Sequence, residues 1–456
     1  MRKTFLFFLI TIGTLQSMLA QQNDAATAKK ISEEVLRNST AYENLRYLTK
    51  KIGPRLSGSI NAQNAVEATA KMLKEAGADT VYLQPCMVPH WQRGAKETGY
   101  IKSANGSRYN LSLCALGNSI GSGPKGVNGA VVEVRSLNEL DELGTTVRGK
   151  IVFFNIAMDP TYVRTFRAYG EAGIGRRSGP SQAAKYGAIG VMVRSLASNI
   201  DNFPHTGSTQ YNDSFPKIPA VAISTKDAEW LSRELKKKMP VNAFFSTHCK
   251  MLPDALSYNV VGEIRGSEFP KEILTVGGHL DSWDLAEGAQ DDGTGCVQSI
   301  EVIRAIKALG IHPKRTIRAV MFMNEENGGR GGRAYLDWAK NKGEQHIFAL
   351  ESDAGGFTPR GISMDMNEAK RARMLQWKPL FYEYGIYDFS PGGGGADIAP
   401  LKELGTALAG FAPDSQRYFD LHHASNDVFE AVSKRELDLG AVNMTMLMWL
   451  VSEYGL

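Results

Sequence analysis

The sequence predicts an α/β fold: a central sheet flanked by helices on both faces and interrupted by a smaller α/β module. Three observations carry this. Short apolar runs rich in Ile, Val, Leu and Phe recur along the chain, the pattern of strands buried on both faces. Helical patterns alternate with them, as in βαβ units. Three of the runs, between Ile273 and Asp353, each end in His or carboxylate.

At 456 residues the chain is too long for one typical domain. A hydrophobic fraction of 43% and a charged fraction of 22% are those of ordinary globular proteins. With 52 basic and 48 acidic residues and no polybasic run, nucleic acid is not expected as a partner. Arg2 and Lys3 precede the apolar run FLFFLITIGTL and then Met18-Leu19-Ala20. This is the order of an export signal, so residues 1–20 are expected to be removed and the protein to be secreted or periplasmic, with no membrane anchor afterwards. Cys86, Cys114, Cys249 and Cys296 allow three full pairings, none selectable from sequence. Cys296, in a helical pattern, is expected as a buried thiol.

In chain order, Ile31–Thr49 reads as one amphipathic helix, broken at Gly53-Pro54. A second helix runs from Asn61 to Ala76 with Gly77 as its stop. Val81–Val88 then reads as a strand. From Gly121 the texture changes, with strands at Ala130–Val134, Lys150–Ile156, Ala188–Ser195 and Ile218–Ser224 around a single Ala-rich helix, Gln182–Tyr186. That describes a module over 121–250 inserted in a larger domain made of 21–120 and 251–456. The larger domain resumes near Ser257. Helices are then expected at Asp292–Leu309, Gly332–Lys340, Ala369–Tyr384, Asp397–Leu404 and Ser433–Leu450, with a strand at Thr406–Phe411.

Ligands in open parallel sheets bind outside the carboxyl ends of the strands. ILTVGGHLDSWD leaves His279 and Asp281 there, TIRAVMFMNEENGG leaves Glu325 and Glu326, and HIFALESDAGG leaves Asp353. His nitrogen and carboxylate oxygen suit a divalent metal such as zinc. Asp281 is placed to accept the second imidazole N–H of His279 and fix its ring. In QDDGTG, one of Asp291 and Asp292 caps the following helix or supports the site while the other ligates, and one carboxylate can bridge two cations. Adjacent acids repel unless a cation lies between them, so one of Glu325 and Glu326 as ligand and the other as general base resolves the pair. LHHASND offers a last nitrogen ligand, His422 or His423, with Asp427 as partner or cap. His90, His205, His312 and His346 have no comparable context and read as structural.

With GGHLDSWD, GAQDDGTG, NEENGG, ESDAGG and HHASND in this order, the chain resembles the co-catalytic di-zinc aminopeptidase and carboxypeptidase Q family from about residue 40 onwards. The resemblance implies the zinc-exopeptidase fold, with a mixed central sheet and a protease-associated domain as the insert. It implies two zinc ions, His279 and Asp353 on one and Glu326 and His423 on the other, with Asp291 bridging. The Asp291–Asp292 peptide is often cis in such proteins, and Glu325 matches the catalytic base. His423 is preferred over His422 by its spacing to Asp427; Val428 departs from the Thr frequent after that Asp. Pro391–Asp397 matches a Gly-rich loop near the substrate, which would bring Asp397 into contact with it. The expected partner is a short peptide, above all a dipeptide; a homodimer is allowed but not specified. Two readings compete: a non-catalytic receptor-like ectodomain and a single-zinc cyclising transferase of the same fold. Two bound zinc ions would separate the secreted di-zinc exopeptidase, or dipeptidase, that the resemblance implies from both.

Overall fold

The computed structural model describes residues 22–103 and 106–456; the expected export signal lies outside them. The larger of two eight-stranded sheets takes, in chain order, β1 (Thr80–Gln92), β2 (Lys250–Ile264), β3 (Phe269–His279), β4 (Arg315–Phe322), β5 (Gln345–Glu351), β6 (Pro359–Asp365), β7 (Asp388–Pro391) and β8 (Ala407–Pro413). Their order across the sheet is β1-β2-β4-β3-β5-β8-β6-β7. The four central strands β4, β3, β5 and β8 are parallel, while β1 runs against β2, β2 against β4 and β6 against β8, so the sheet is mixed.

Alternation along β4 shows why both faces need covering. Ile317, Ala319 and Met321 pack under the helices Thr294–Ala308 and Lys434–Tyr454, against Val297, Ile300, Leu447 and Val451. Val320 and Phe322 point the other way, onto Tyr335 and Leu336 of the helix Arg330–Lys342. Losing a fully buried ring such as Phe322 costs about 3–5 kcal/mol. Ser433 caps the last helix, accepting from the Glu436 N–H.

Several boundaries differ from those the sequence suggested. The first helix is two: residues 22–38, then Ala41–Arg46 continued by a wider turn over Tyr47–Ile52. The break occurs where the Thr40 N–H donates to the buried carboxylate of Glu301 at 3.2 Å, and Ser39 Oγ accepts from Ala41. The helix expected at Ala369–Tyr384 splits into Glu368–Gln376 and Lys378–Phe381, because Pro379 has no N–H to continue the ladder.

The second sheet also starts earlier than residue 121. Thr98–Lys102, Arg108–Asn110 and Leu113–Ala115 pair into it, alongside Val127–Val134, Ile151–Phe154, Gly190–Arg194, Ala220–Ile223 and Asn242–Ser246. These early strands are short and half-exposed, so they lack the buried runs that mark the others. The module has more than the one helix expected: Leu137–Leu143, Thr165–Ala172, Ile174–Arg177 and Thr225–Lys236 join Gly179–Lys185. Among the described residues no helix is long and apolar enough to cross a membrane.

Candidate metal centre

Because β3, β4 and β5 are parallel neighbours, they leave the sheet side by side. The register sets His279 against Phe322 and Gly277 against Glu351, so His279, the Glu325–Glu326 turn and Asp353 emerge at one edge. Asp291 and Asp292 arrive from the turn before the helix Thr294–Ala308. His422 and His423 come from the loop after β8.

These side chains form two groups sharing one carboxylate. Asp291 Oδ1 is 3.1 Å from His279 Nε2, which is itself 3.5 Å from Asp353 Oδ1. Asp291 Oδ2 is 3.3 Å from His423 Nε2, which is 3.1 Å from Glu326 Oε2. His422 Nε2 stands farther off, 3.7 Å from Asp291 Oδ2. Instead, His422 stacks on His423 with ring centres 3.5 Å apart and packs against Tyr169, Tyr418 and Phe419.

The backbone braces each of these groups. The Nδ1–H of His279 faces the Asp281 carbonyl at 2.9 Å, which leaves the Nε2 lone pair for the acids opposite. That corrects the expected role of the Asp281 carboxylate. Its Oδ1 lies 3.9 Å from Nδ1 and instead accepts from the N–H groups of Asn324 at 2.7 Å and Glu325 at 3.1 Å. Asp281 therefore holds the Glu325–Glu326 turn, and a backbone carbonyl orients the ring. Glu326 is held in turn by the Trp283 N–H on its Oε1 at 3.2 Å.

Asp292 takes the supporting role: Oδ2 accepts from the His279 N–H and Oδ1 from the Gly295 N–H, each at 3.0 Å. The Asp291–Asp292 peptide is cis. Asp427 accepts from the N–H of Gln290 at 2.7 Å and of Asp291 at 3.2 Å. Two glycines of the motifs are there for space. A Cβ at Gly278 would meet Asp292 Oδ2 at 2.2 Å, and one at Gly295 the Ser352 carbonyl at 1.9 Å.

Electrostatics separate the acids. Burial works against ionisation of Asp291, but His279, His422 and His423 outweigh it and hold its carboxyl below the usual range. Burial, reinforced by Asp353, Asp291 and Asp281, pushes Glu325 up to about 8. Glu326 is raised for the same first cause, with Asp291 adding repulsion. Asp291 Oδ2 is buried with no hydrogen-bond partner among the described residues. Crowded acids, two imidazole Nε2 atoms and a carboxylate between them that turns one oxygen to each fit a pair of divalent cations.

Asp397 is not where the Gly-rich loop suggested. It is 1% exposed, and the N–H groups of Asp397 and Ile398 donate to Glu351 at 3.4 and 2.9 Å. The glycines Gly392–Gly395, rather than Asp397, line a cavity of about 810 Å³ that also reaches Asp353. Tight packing draws this loop inward, since the N–H groups leaving it need the buried Glu351 as acceptor.

The inserted module closes the other side. Tyr169, Arg176 and Ser208 share a cavity of about 190 Å³ with Asp291, Glu325 and His423. His423 sits in the left-handed region at φ 64°. Its carbonyl accepts from the Thr206 N–H at 3.0 Å, and its Nδ1 is 3.3 Å from the Thr206 carbonyl. His205 Nδ1 is 2.6 Å from the His422 carbonyl, so this histidine braces the loop rather than serving only its own module. The sequence carried no signal for this role of Thr206, because only its backbone meets His423. His346 is far from the site, bonded to Thr275 and Glu344 at the opposite end of the sheet.

Comparison with known proteins follows this geometry. The model of a family described as Peptidase family M28 matches residues 259–448. Carboxypeptidase Q of Bos taurus is 34% identical over 413 residues, covering 91% of this chain and 85% of that protein. The crystal structure of a peptidase M28 precursor from Shewanella amazonensis superposes with a TM-score of 0.90 at 30% identity, covering 94% of this chain and 97% of that one. A zinc aminopeptidase from Bacillus subtilis gives a TM-score of 0.64 at 20% identity over 90% of this chain and 94% of its own, which shows a shared fold.

Proposed function

The chain belongs to peptidase family M28 and is a metallo-exopeptidase, and from that premise we propose that it is exported and hydrolyses short peptides, chiefly dipeptides, with two zinc ions and Glu325 as general base. The observation that carries this is Asp291, whose two oxygens face His279 on one side and His423 on the other. His279 and Asp353 would hold one zinc, Glu326 and His423 the other, with Asp291 between. When bound, two zinc ions supply Lewis acidity, acidifying water and polarising the scissile carbonyl.

The chain's own residues do the rest. Glu325, its N–H fixed by Asp281, stands beside the ligands without being counted among them. It takes a proton from the attacking water and delivers it to the leaving amine. With cations held among these acids the local field would reverse, and Glu325 would keep the carboxylate form that a base requires. Tyr169 and Arg176 of the module wall off the cavity, which limits bulk water and favours a small substrate. Supporting the choice of terminus, the relatives at 34% identity are named carboxypeptidase, whereas the zinc aminopeptidase is only 20% identical.

The test is zinc content together with turnover of unmodified, N-acetylated and C-amidated dipeptides. Two zinc ions per chain and a marked preference for unmodified dipeptides are expected. Amidated dipeptides cut as fast as free ones would make the protein an aminopeptidase, and preference for N-acetylated ones a true carboxypeptidase. A zinc-free, inactive protein would leave a non-catalytic ectodomain. For export, the expected mature N-terminus is just after Ala20, read by N-terminal sequencing.

A further inference from the structure

Five arginines are buried among the described residues, and four have their acceptors. Arg55 is surrounded by the carbonyls of Leu280, Glu287 and Gly288. Arg93 pairs with Glu97 and Asp284, Arg194 with Glu229, and Arg318 with Glu263 and Glu344. Arg176 is the exception. It is 6% exposed, has no ion-pair partner among the described residues, and leaves its Nε–H without an acceptor. Among the described residues its acceptors are the Thr206 carbonyl at 3.3 Å and the Tyr169 hydroxyl at 2.5 Å.

A buried guanidinium with no anion is costly, so its place in the fold needs a reason. That place is the wall of the 190 Å³ cavity that Asp291, Glu325 and Glu326 also line. It is also a built position. Gly207 lies beneath the guanidinium at φ 128°, where a Cβ would stand 2.4 Å from Arg176 Nη1. Thr206, its acceptor, is the same residue that holds His423. We propose that Arg176, brought in by the inserted module, binds the C-terminal carboxylate of the substrate and so decides that free-ended short peptides are cut. A planar fork of N–H groups matches a carboxylate in two parallel bonds, which an amide cannot reproduce. This rests on the exopeptidase reading above, and it makes the insert part of the specificity site.

The experiment compares kcat/KM for a free dipeptide and its C-amide in the zinc-loaded wild type, Arg176→Gln, Arg176→Lys and Arg177→Gln, the last lining the same cavity. The wild type should favour the free dipeptide by at least about 30-fold. Arg176→Gln should bring that ratio near unity through the free peptide alone, with zinc content unchanged, while Arg177→Gln keeps it. Arg176→Lys, which keeps the charge but loses the fork, should fall between and serves if the Gln variant does not fold. Equal losses on both substrates, an intact ratio in Arg176→Gln, or a ratio lost in Arg177→Gln instead would overturn the assignment. Calorimetric binding of leucine against leucinamide separates this from the parent reading. If the wild type cuts no peptide yet prefers leucine, and Arg176→Gln does not, Arg176 stands and the exopeptidase reading falls. If it cuts dipeptides but reads neither carboxylate, the reverse holds.

Discussion

The carboxyl edge of the large sheet and the loop around Thr206 meet at one cavity, but they contribute different kinds of group. The sheet edge presents side chains: His279, Asp291, Glu325, Glu326 and Asp353 each stand at a strand end or in the turn beside one. The module gives the last ligand loop chiefly backbone, through the carbonyl and N–H of Thr206, with His205 on the carbonyl of His422. The edge therefore supplies most of the candidate ligands and the candidate base, and the module braces the one candidate histidine that lies in the left-handed region, His423. A site split in this way tolerates little relative movement of its two halves, because second-shell partners of metal ligands tune affinity by about 10–100-fold.

Four measurements test that division of labour. The largest effect belongs to the sheet edge. Glu325→Gln should retain zinc and lose about 10²–10⁴-fold in turnover. Near-normal turnover in a zinc-loaded variant would remove Glu325 from the chemistry.

Next comes the loop. His423→Ala should lower zinc affinity by more than about 100-fold and His422→Ala by less than about 10-fold, since direct ligation outweighs support. Metal analysis of both decides; equal losses would mean that the shorter distances of His423 to Glu326 and Asp291 do not identify the ligand.

The module's contribution is smaller. His205→Ala removes the donor to the His422 carbonyl and should weaken zinc binding by about 10-fold while leaving Glu325 chemistry intact. Unchanged affinity would reduce the module to a cover. The smallest effect is on the thiols. Cys86, Cys114, Cys249 and Cys296 are all free and buried, in both halves of the molecule. Reductant should therefore leave Tm unchanged, whereas breaking a disulfide would cost about 2–4 kcal/mol.

Much of the fold was legible because its signals are local. The runs at Ile273–His279, Thr316–Phe322 and His346–Glu351 are continuous and apolar, so strands buried on both faces could be read from them directly. The start of the module was not legible, because Thr98–Lys102 and Leu113–Ala115 are short and take their meaning from partners far along the chain, Asn242–Ser246 and Ala220–Ile223. Asp281 was correctly drawn to the site but given the wrong acceptor. Sequence shows that a carboxylate is near a histidine, yet not that the backbone carbonyl of the same residue lies closer to the ring.

Residue type and strand-end position, both written in the sequence, mark the candidates for ligand and base chemistry. The tertiary structure alone decided that Asp397 is buried behind Glu351, that Thr206 holds His423, and that Arg176 faces the cavity without an anion. The physical reason is that backbone groups are the same in every residue, and burial is a property of neighbours. Neither leaves a mark in the chain until distant segments are packed together.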